Sequence, residues 1–434
     1  MLRVLGLLLV LLAAGAAQNA SQWPLYPECL PNCSFFESVP LGAGTVLVVA
    51  GAAICSGAGI GGGGVFVPTF ILALGLNAHW ALPLSQVTIF GVGIGSLIYL
   101  LPQRHPTLPR RLIDLNLAAL LEPATLAGTI PGVYLNVMFP AYLITILLAI
   151  LLGLTAATTL RTGLQQRRVE QAAAASSSSS SSSGSAAACK EAARGRGQEA
   201  APLLVNTSQE DKGPAGEKED AGVVGSEAAH DGVWHWQQLA GLLVCGAVLA
   251  AASVAKSYFD CRGPYYWLFV VSPLPVIGFF AVYFARQPPK RGQHAWVWSA
   301  AGFVAGLAAG FLGIGGGMVK SPLMIYMRTT PQVATATASF MILFTAAGTA
   351  LQFLLLQRLV WQYALWYGCA GLLGSLCGQF ALARVIRYFG KQSLVSFFVA
   401  IVIGGCTVAL VATNVIEMTV GHANMAFSGP CAPP

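Results

Sequence analysis

Charge is what this chain has least of. Asp, Glu, Lys and Arg together make up 9% of its 434 residues, against about 25% in an ordinary soluble domain. Acids are the scarcer kind, 16 against 23 basic residues, for a net charge of +7. So little charge excludes an ordinary soluble enzyme and a disordered protein. The basic residues are too few and too scattered for a nucleic-acid face. The six histidines form no cluster, and no Cys/His group has zinc-site spacing, so neither metal nor cofactor is expected. There is no Gly-X-Ser-X-Gly elbow, no His-Glu-X-X-His and no Walker lysine loop. An intramembrane hydrolase and an ATP-driven pump are disfavoured, and the chain is not expected to be an enzyme.

What is abundant is apolar length. Apolar residues make up 56% of the chain, and several uncharged runs reach about 20 residues, enough to cross a bilayer as a helix. The composition points to an all-α polytopic membrane protein, with the lipid bilayer as its first partner. At residues 1–17, Arg3 precedes the apolar Leu5–Leu12 and the small residues Ala14, Ala16 and Ala17. This is the pattern of a secretory signal peptide, or of an uncleaved first helix. It implies a plasma-membrane or endomembrane protein that enters through the secretory pathway. Residues 18–40 would then be extracytosolic and carry Cys29 and Cys33. Cys261 and Cys431 fall on the same side in the topology below. Disulfides persist there, but their pairing cannot be read from spacing.

An internal repeat organises the rest. Gly59-Ile60-Gly61-Gly62-Gly63 recurs as Gly313-Ile314-Gly315-Gly316-Gly317. In the same register Val65 matches Val319, Pro68 matches Pro322, Ile71 matches Ile325 and Ser85 matches Ser339. The halves are residues 41–161 and 296–413, joined by a pair of helices within 237–295. A Ser-rich stretch, 162–236, includes the serine run Ser176–Ser183 and has no periodic apolar face. It reads as a disordered cytosolic loop. Residues 414–434 form an extracytosolic tail.

Spans are expected at 41–57, 82–101, 114–136, 140–160, 237–257, 264–285, 296–312, 332–356, 362–383 and 393–413. Short apolar pieces, 65–75 and 319–327, follow the two glycine clusters. Arg104, Arg110 and Arg111, then Arg161, Arg167 and Arg168, then Arg286, Lys290 and Arg291, then Arg384, Arg387 and Lys391 mark cytosolic loops. All agree with the positive-inside rule if each glycine-containing segment enters and leaves on one side. The halves then have opposite orientations, an inverted-topology repeat with broken or re-entrant helices.

Two glycine clusters that each open a short helix leave free N–H groups at positive dipole ends. Gly61, Gly62, Gly63, Gly64, Gly315, Gly316 and Gly317 are therefore candidate ligands for an anion, or else small residues that allow close helix packing. Ser85 and Ser339 match across the repeat and could donate to the same oxyanion; Thr88, Thr335, Thr337 and Thr345 lie on the same spans. Lys320 follows the second cluster, where the first half has Phe66. It either attracts the anion or snorkels to the cytosolic interface. Glu122 sits among apolar neighbours. It is either a carrier for a coupling proton or a protonated acid bonded to a neighbouring helix.

The clusters Gly59–Pro68 and Ala309–Ser339, with Pro322 and the run Ala334-Thr335-Ala336-Thr337, resemble the TauE/SafE family of sulfite exporters. The stretch Glu122–Arg161, with Leu135-Asn136-Val137 and Phe139-Pro140, is similar to the plant and algal branch. The resemblance implies multi-pass proteins with two related halves that move small sulfur-containing oxyanions outward, such as sulfite or organosulfonates. Glu122 departs from the uncharged polar residue expected there in plant relatives, so the resemblance lends a proton-coupling role no support.

The reading is a secondary transporter of a small inorganic or organic anion, of undefined oligomeric state. A passive anion channel and a non-transporting membrane scaffold or quality-control component are the alternatives. Deleting residues 170–230 separates them. Anion flux in proteoliposomes is expected to survive the deletion, whereas a scaffold would lose its partner.

Overall fold

The computed structural model describes residues 39–57, 59–104, 111–179, 236–286, 295–327, 329–389, 393–420 and 427–431. The signal-peptide pattern, Cys29, Cys33 and the Ser-rich residues 180–235 lie outside them. The described residues form helices and no named strand. The first half holds α1 (Val39–Gly57), α2 (Gly63–Leu74), α3 (Ala78–Leu100), α4 (Leu115–Met138) and α5 (Ala141–Ser179). The linking helices are α6 (Trp236–Lys256), α7 (Pro264–Val271) and α8 (Pro273–Arg286). The second half repeats the order as α9 (Ala295–Leu312), α10 (Gly317–Tyr326), α11 (Pro331–Leu355), α12 (Trp361–Phe389) and α13 (Ser393–Val420).

Five stretches are long and apolar enough to cross a membrane: Ala78–Leu100, Ala141–Gln165, Trp236–Lys256, Pro264–Arg286 and Gln332–Leu355. Others are shorter apolar helices, as a chain with interrupted spans requires. The fold is an all-α, multi-pass integral membrane architecture. Two elements differ from the expectation. The span near 264–285 divides at Ser272, because Pro273 has no N–H to continue the ladder. Helix α5 runs to Ser179, past the expected boundary at 161. Residues 161–175 are largely Arg, Gln and Ala, good helix formers that carry the helix beyond its apolar part.

The halves pack by exchanging equivalent contacts: α4 lies on α9 as α12 lies on α1, and α3 meets α11. Glycines set the distance. A Cβ at Gly128 or Gly132 of α4 would strike the carbonyls of Phe303 and Leu307. A Cβ at Gly374 or Gly378 of α12 would strike those of Val49 and Ala53. Val49 and Ala53 are the repeat equivalents of Phe303 and Leu307. The same two backbone contacts thus occur twice, four in all. Without a hydrophobic drive between helices in lipid, such close approach is the main source of packing energy.

One end of the bundle gathers three chain segments expected outside. The Ser428 N–H donates to the Met138 carbonyl (3.0 Å), and Phe427 packs edge-on against Phe139. Cys261 and Cys431 form a disulfide, which ties the tail to the loop before α7. A disulfide suits an extracytosolic end.

Gly306 of α9 faces the Thr125 carbonyl where its Cβ would fall, whereas Gly404 of α13 has open space. Gly306→Ala is expected to destabilise the detergent-solubilised protein by about 1–3 kcal/mol. Gly404→Ala should leave the thermal melt unchanged.

Candidate functional site

Both spans that run into glycine break in the same way. Gly59, Gly61 and Gly62 have φ of 68°, 81° and 84°, and their equivalents Gly313, Gly315 and Gly316 have 68°, 67° and 72°. Only glycine adopts such φ values readily. Gly62 and Gly316 are the left-handed residues that open α2 and α10.

The two breaks touch. A Cβ at Gly63 would lie 2.6 Å from Ile314 Cα, and one at Gly317 would lie 2.8 Å from the Ile60 carbonyl oxygen. These are equivalent contacts, because residue 60 corresponds to 314 and 63 to 317. Residues 61–64 and 313–317 are all buried. The N–H groups of Gly61–Gly64 and Gly315–Gly317 have no acceptor among the described residues.

The carbonyls around the breaks are better served. The Ser85 hydroxyl lies 2.7 Å from both the Leu82 and Gly313 carbonyls and shares its one proton between them. Ser321 donates to Gly59 (3.1 Å). The Gln86 amide donates to Ala309 (2.7 Å), Asn136 to Phe311 (2.8 Å) and Gln379 to Ser56 (3.0 Å). Side-chain amides therefore cap the helix ends that glycine leaves open inside the bundle. Ser339 is buried on α11.

Lys320 sits on the first turn of α10, and its Cε would lie 3.5 Å from a Cβ at Gly316. The side chain does not snorkel. Its ammonium is fully buried, 2.6 Å from Glu122 Oε2, and that carboxylate is fully buried as well. Thr345 closes the ring. Lys320 Nζ donates to Thr345 Oγ1 (2.7 Å), which donates to Glu122 Oε1 (2.6 Å). Above it, Thr349 donates to Gln86 Oε1 (3.0 Å). One ion pair thus joins α4 to α10 beside the crossed breaks, with α11 completing its hydrogen bonds.

The sequence pattern of the family described as "Sulfite exporter TauE/SafE" matches residues 43–190 and 221–421. The chain belongs to this family. It is similar to Sulfite exporter TauE/SafE family protein 3 of Arabidopsis thaliana, 28% identical over 94% of this chain and 85% of that protein. Family protein 1 of the same plant is also 28% identical, over 95% of this chain and 93% of its own. Family protein 5 is 26% identical over 89% and 86%. No solved structure matches. TauE/SafE membership makes the chain a membrane transporter rather than an enzyme.

In this TauE/SafE chain the ion pair breaks the symmetry of the fold. Lys320 corresponds to Phe66 and Thr345 to Gly91. Aligning α4 with α12 through Gly128 and Gly374 puts Gly368 at the position of Glu122. Gly91 and Gly368 lie face to face, so close that a Cβ on Gly91 would meet the Gly368 carbonyl. The place built from Phe66, Gly91 and Gly368 is packed shut, and its repeat equivalent, built from Lys320, Thr345 and Glu122, is filled with charge.

Sequence reading found Glu122 and Lys320 separately and missed their pairing. The usable signal was complementarity: each is an unmatched charge in an apolar segment, of opposite sign, in opposite halves. It also missed Gln86, whose amide lies deep within α3, and a cluster of Lys256 with Tyr134 and Tyr266 near the disulfide.

Removing one partner of a buried pair strands the other charge. Glu122→Gln or Lys320→Met is expected to destabilise the protein by about 3–5 kcal/mol. The double variant should recover most of that loss in a detergent melt. Additive losses would mean that the two side chains do not depend on each other.

Proposed function

We propose that the chain is a secondary transporter that exports small sulfur-containing oxyanions, such as sulfite or organosulfonates. The anion sits where the two glycine breaks cross. Backbone N–H groups of Gly61–Gly64 and Gly315–Gly317 receive it, with the Ser339 hydroxyl beside it and the Lys320 ammonium supplying charge, while the Ser85 hydroxyl holds the Gly313 carbonyl. The two halves lie in opposite orientations across the bilayer, and one rocks against the other to alternate access. Family membership and the names of the plant relatives support the substrate class.

The observation that carries the mechanism is the buried Glu122–Lys320 pair. At rest its charges cancel. Adding an anion alone would leave one uncompensated charge in the interior, a penalty of several kcal/mol. Adding the anion with a proton on Glu122 avoids this: the neutral acid releases Lys320, and Lys320 turns to the oxyanion. Proton and anion therefore bind together.

Gly62→Val and Gly316→Val test the site. Valine at these φ values is strained, and a Cβ at Gly62 would lie 2.5 Å from the Phe66 ring. Wild-type protein in liposomes is expected to show saturable sulfite flux with counterflow. Both variants should insert and lose that flux by at least about tenfold, well over 1 kcal/mol of barrier. Wild-type flux in both would overturn the site, and flux without counterflow would indicate a channel.

A further inference from the structure

A second buried ammonium lies away from this site. Lys256 ends α6 and is 4% exposed. Its Nζ donates to Tyr134 Oη (3.1 Å) and lies 5.0 Å from the centre of the Tyr134 ring and 5.9 Å from that of Tyr266. The two phenol oxygens are 2.9 Å apart, and Trp267 packs against both rings. Unlike Lys320, Lys256 has no carboxylate within ion-pair distance among the described residues. Aromatic faces attract a cation, but they do not neutralise it. Two of its three N–H groups have no acceptor among the described residues.

The position is informative. Tyr134 is three helical turns beyond Glu122 on α4, about 18 Å along the axis. It lies toward the end that holds the Cys261–Cys431 disulfide. At the matching place on α12 stands Phe380, which is exposed and carries no hydroxyl. Lys256 and Tyr266 belong to the linking helices, which the repeat does not duplicate. This end of the bundle therefore has a buried ammonium beside two phenols, with no counterpart at the matching place of the repeat.

We propose that Lys256, Tyr134 and Tyr266 form a second oxyanion site, at the extracytosolic end of the transport path. An ammonium with spare donors and an adjoining phenol pair suit a compact oxyanion group. That group belongs either to the transported anion after it leaves the midplane, which rests on the function proposed above, or to a lipid headgroup phosphate.

The test is sulfite binding to the full chain in nanodiscs of phosphatidylcholine, with the variants Lys256→Met, Tyr134→Phe and Lys320→Met. Wild-type protein is expected to show a Lys256-dependent site and, separately, a Lys320-dependent one. Tyr134→Phe keeps the ring and its packing and should weaken the outer site about tenfold, even if Lys256→Met fails to fold. Adding phosphatidylglycerol then assigns the occupant. If it displaces the outer sulfite, the site takes lipid phosphate; if it does not, the site takes the exported anion. Binding unchanged in both Lys256→Met and Tyr134→Phe would overturn the proposal and leave Lys256 as a brace for the aromatic cluster. Loss in Lys320→Met alone would preserve the midplane site and reject the outer one. No sulfite binding to wild-type protein in either lipid would reject both.

Discussion

Glu122 and Lys320 keep opposite charges in an apolar interior because each has the other. The remaining organisation of this protein follows from that constraint. Glu122 comes from one half and Lys320 from the other, so their pair exists only when the halves are docked. It lies beside the breaks in two helices, where backbone donors also lack acceptors. Continuous helices would satisfy every backbone group and leave an anion nothing to bind. The glycine breaks leave donors at one place, and the ion pair adds charge there; in the proposed mechanism, substrate and proton trade that charge.

The repeat explains how the scaffold is built twice while its charge is placed once. Equivalent glycines let α4 cross α9 and α12 cross α1 at the same backbone distances. Equivalent left-handed glycines open α2 and α10. The scaffold is therefore duplicated, and the chemistry is not. Phe66, Gly91 and Gly368 stand where Lys320, Thr345 and Glu122 stand in the other half. A symmetric pair of sites would place two ion pairs in the core and double the desolvation penalty. A single charged site with an apolar mirror image keeps that penalty to one site.

Much of this was legible in the residues. Apolar runs located where the helices start to within a few residues, because lipid demands length and apolarity of any helix that crosses it. The repeated glycine motif located both breaks, because left-handed backbone demands glycine. Two things were not legible. Periodicity said nothing of where α5 ends, because Ala, Gln and Arg continue a helix as readily in water as in lipid. Pairing of Glu122 with Lys320, and of Cys261 with Cys431, depends on how distant segments fold together, and no local pattern records that. The roles of Ser85 and Gln86 were hidden for the same reason: their acceptors, Gly313 and Ala309, are more than two hundred residues away.

In the proposed mechanism the Glu122 carboxylate exchanges its hold on Lys320 for a proton when the anion binds. Sulfite accumulation in proteoliposomes under an imposed pH gradient tests it most directly, with wild type compared with Glu122→Gln. The account predicts that the gradient drives uphill accumulation in wild type, and that Glu122→Gln loses the response to the gradient while still exchanging sulfite between the two sides. Gradient-driven accumulation in Glu122→Gln equal to that of wild type would contradict it.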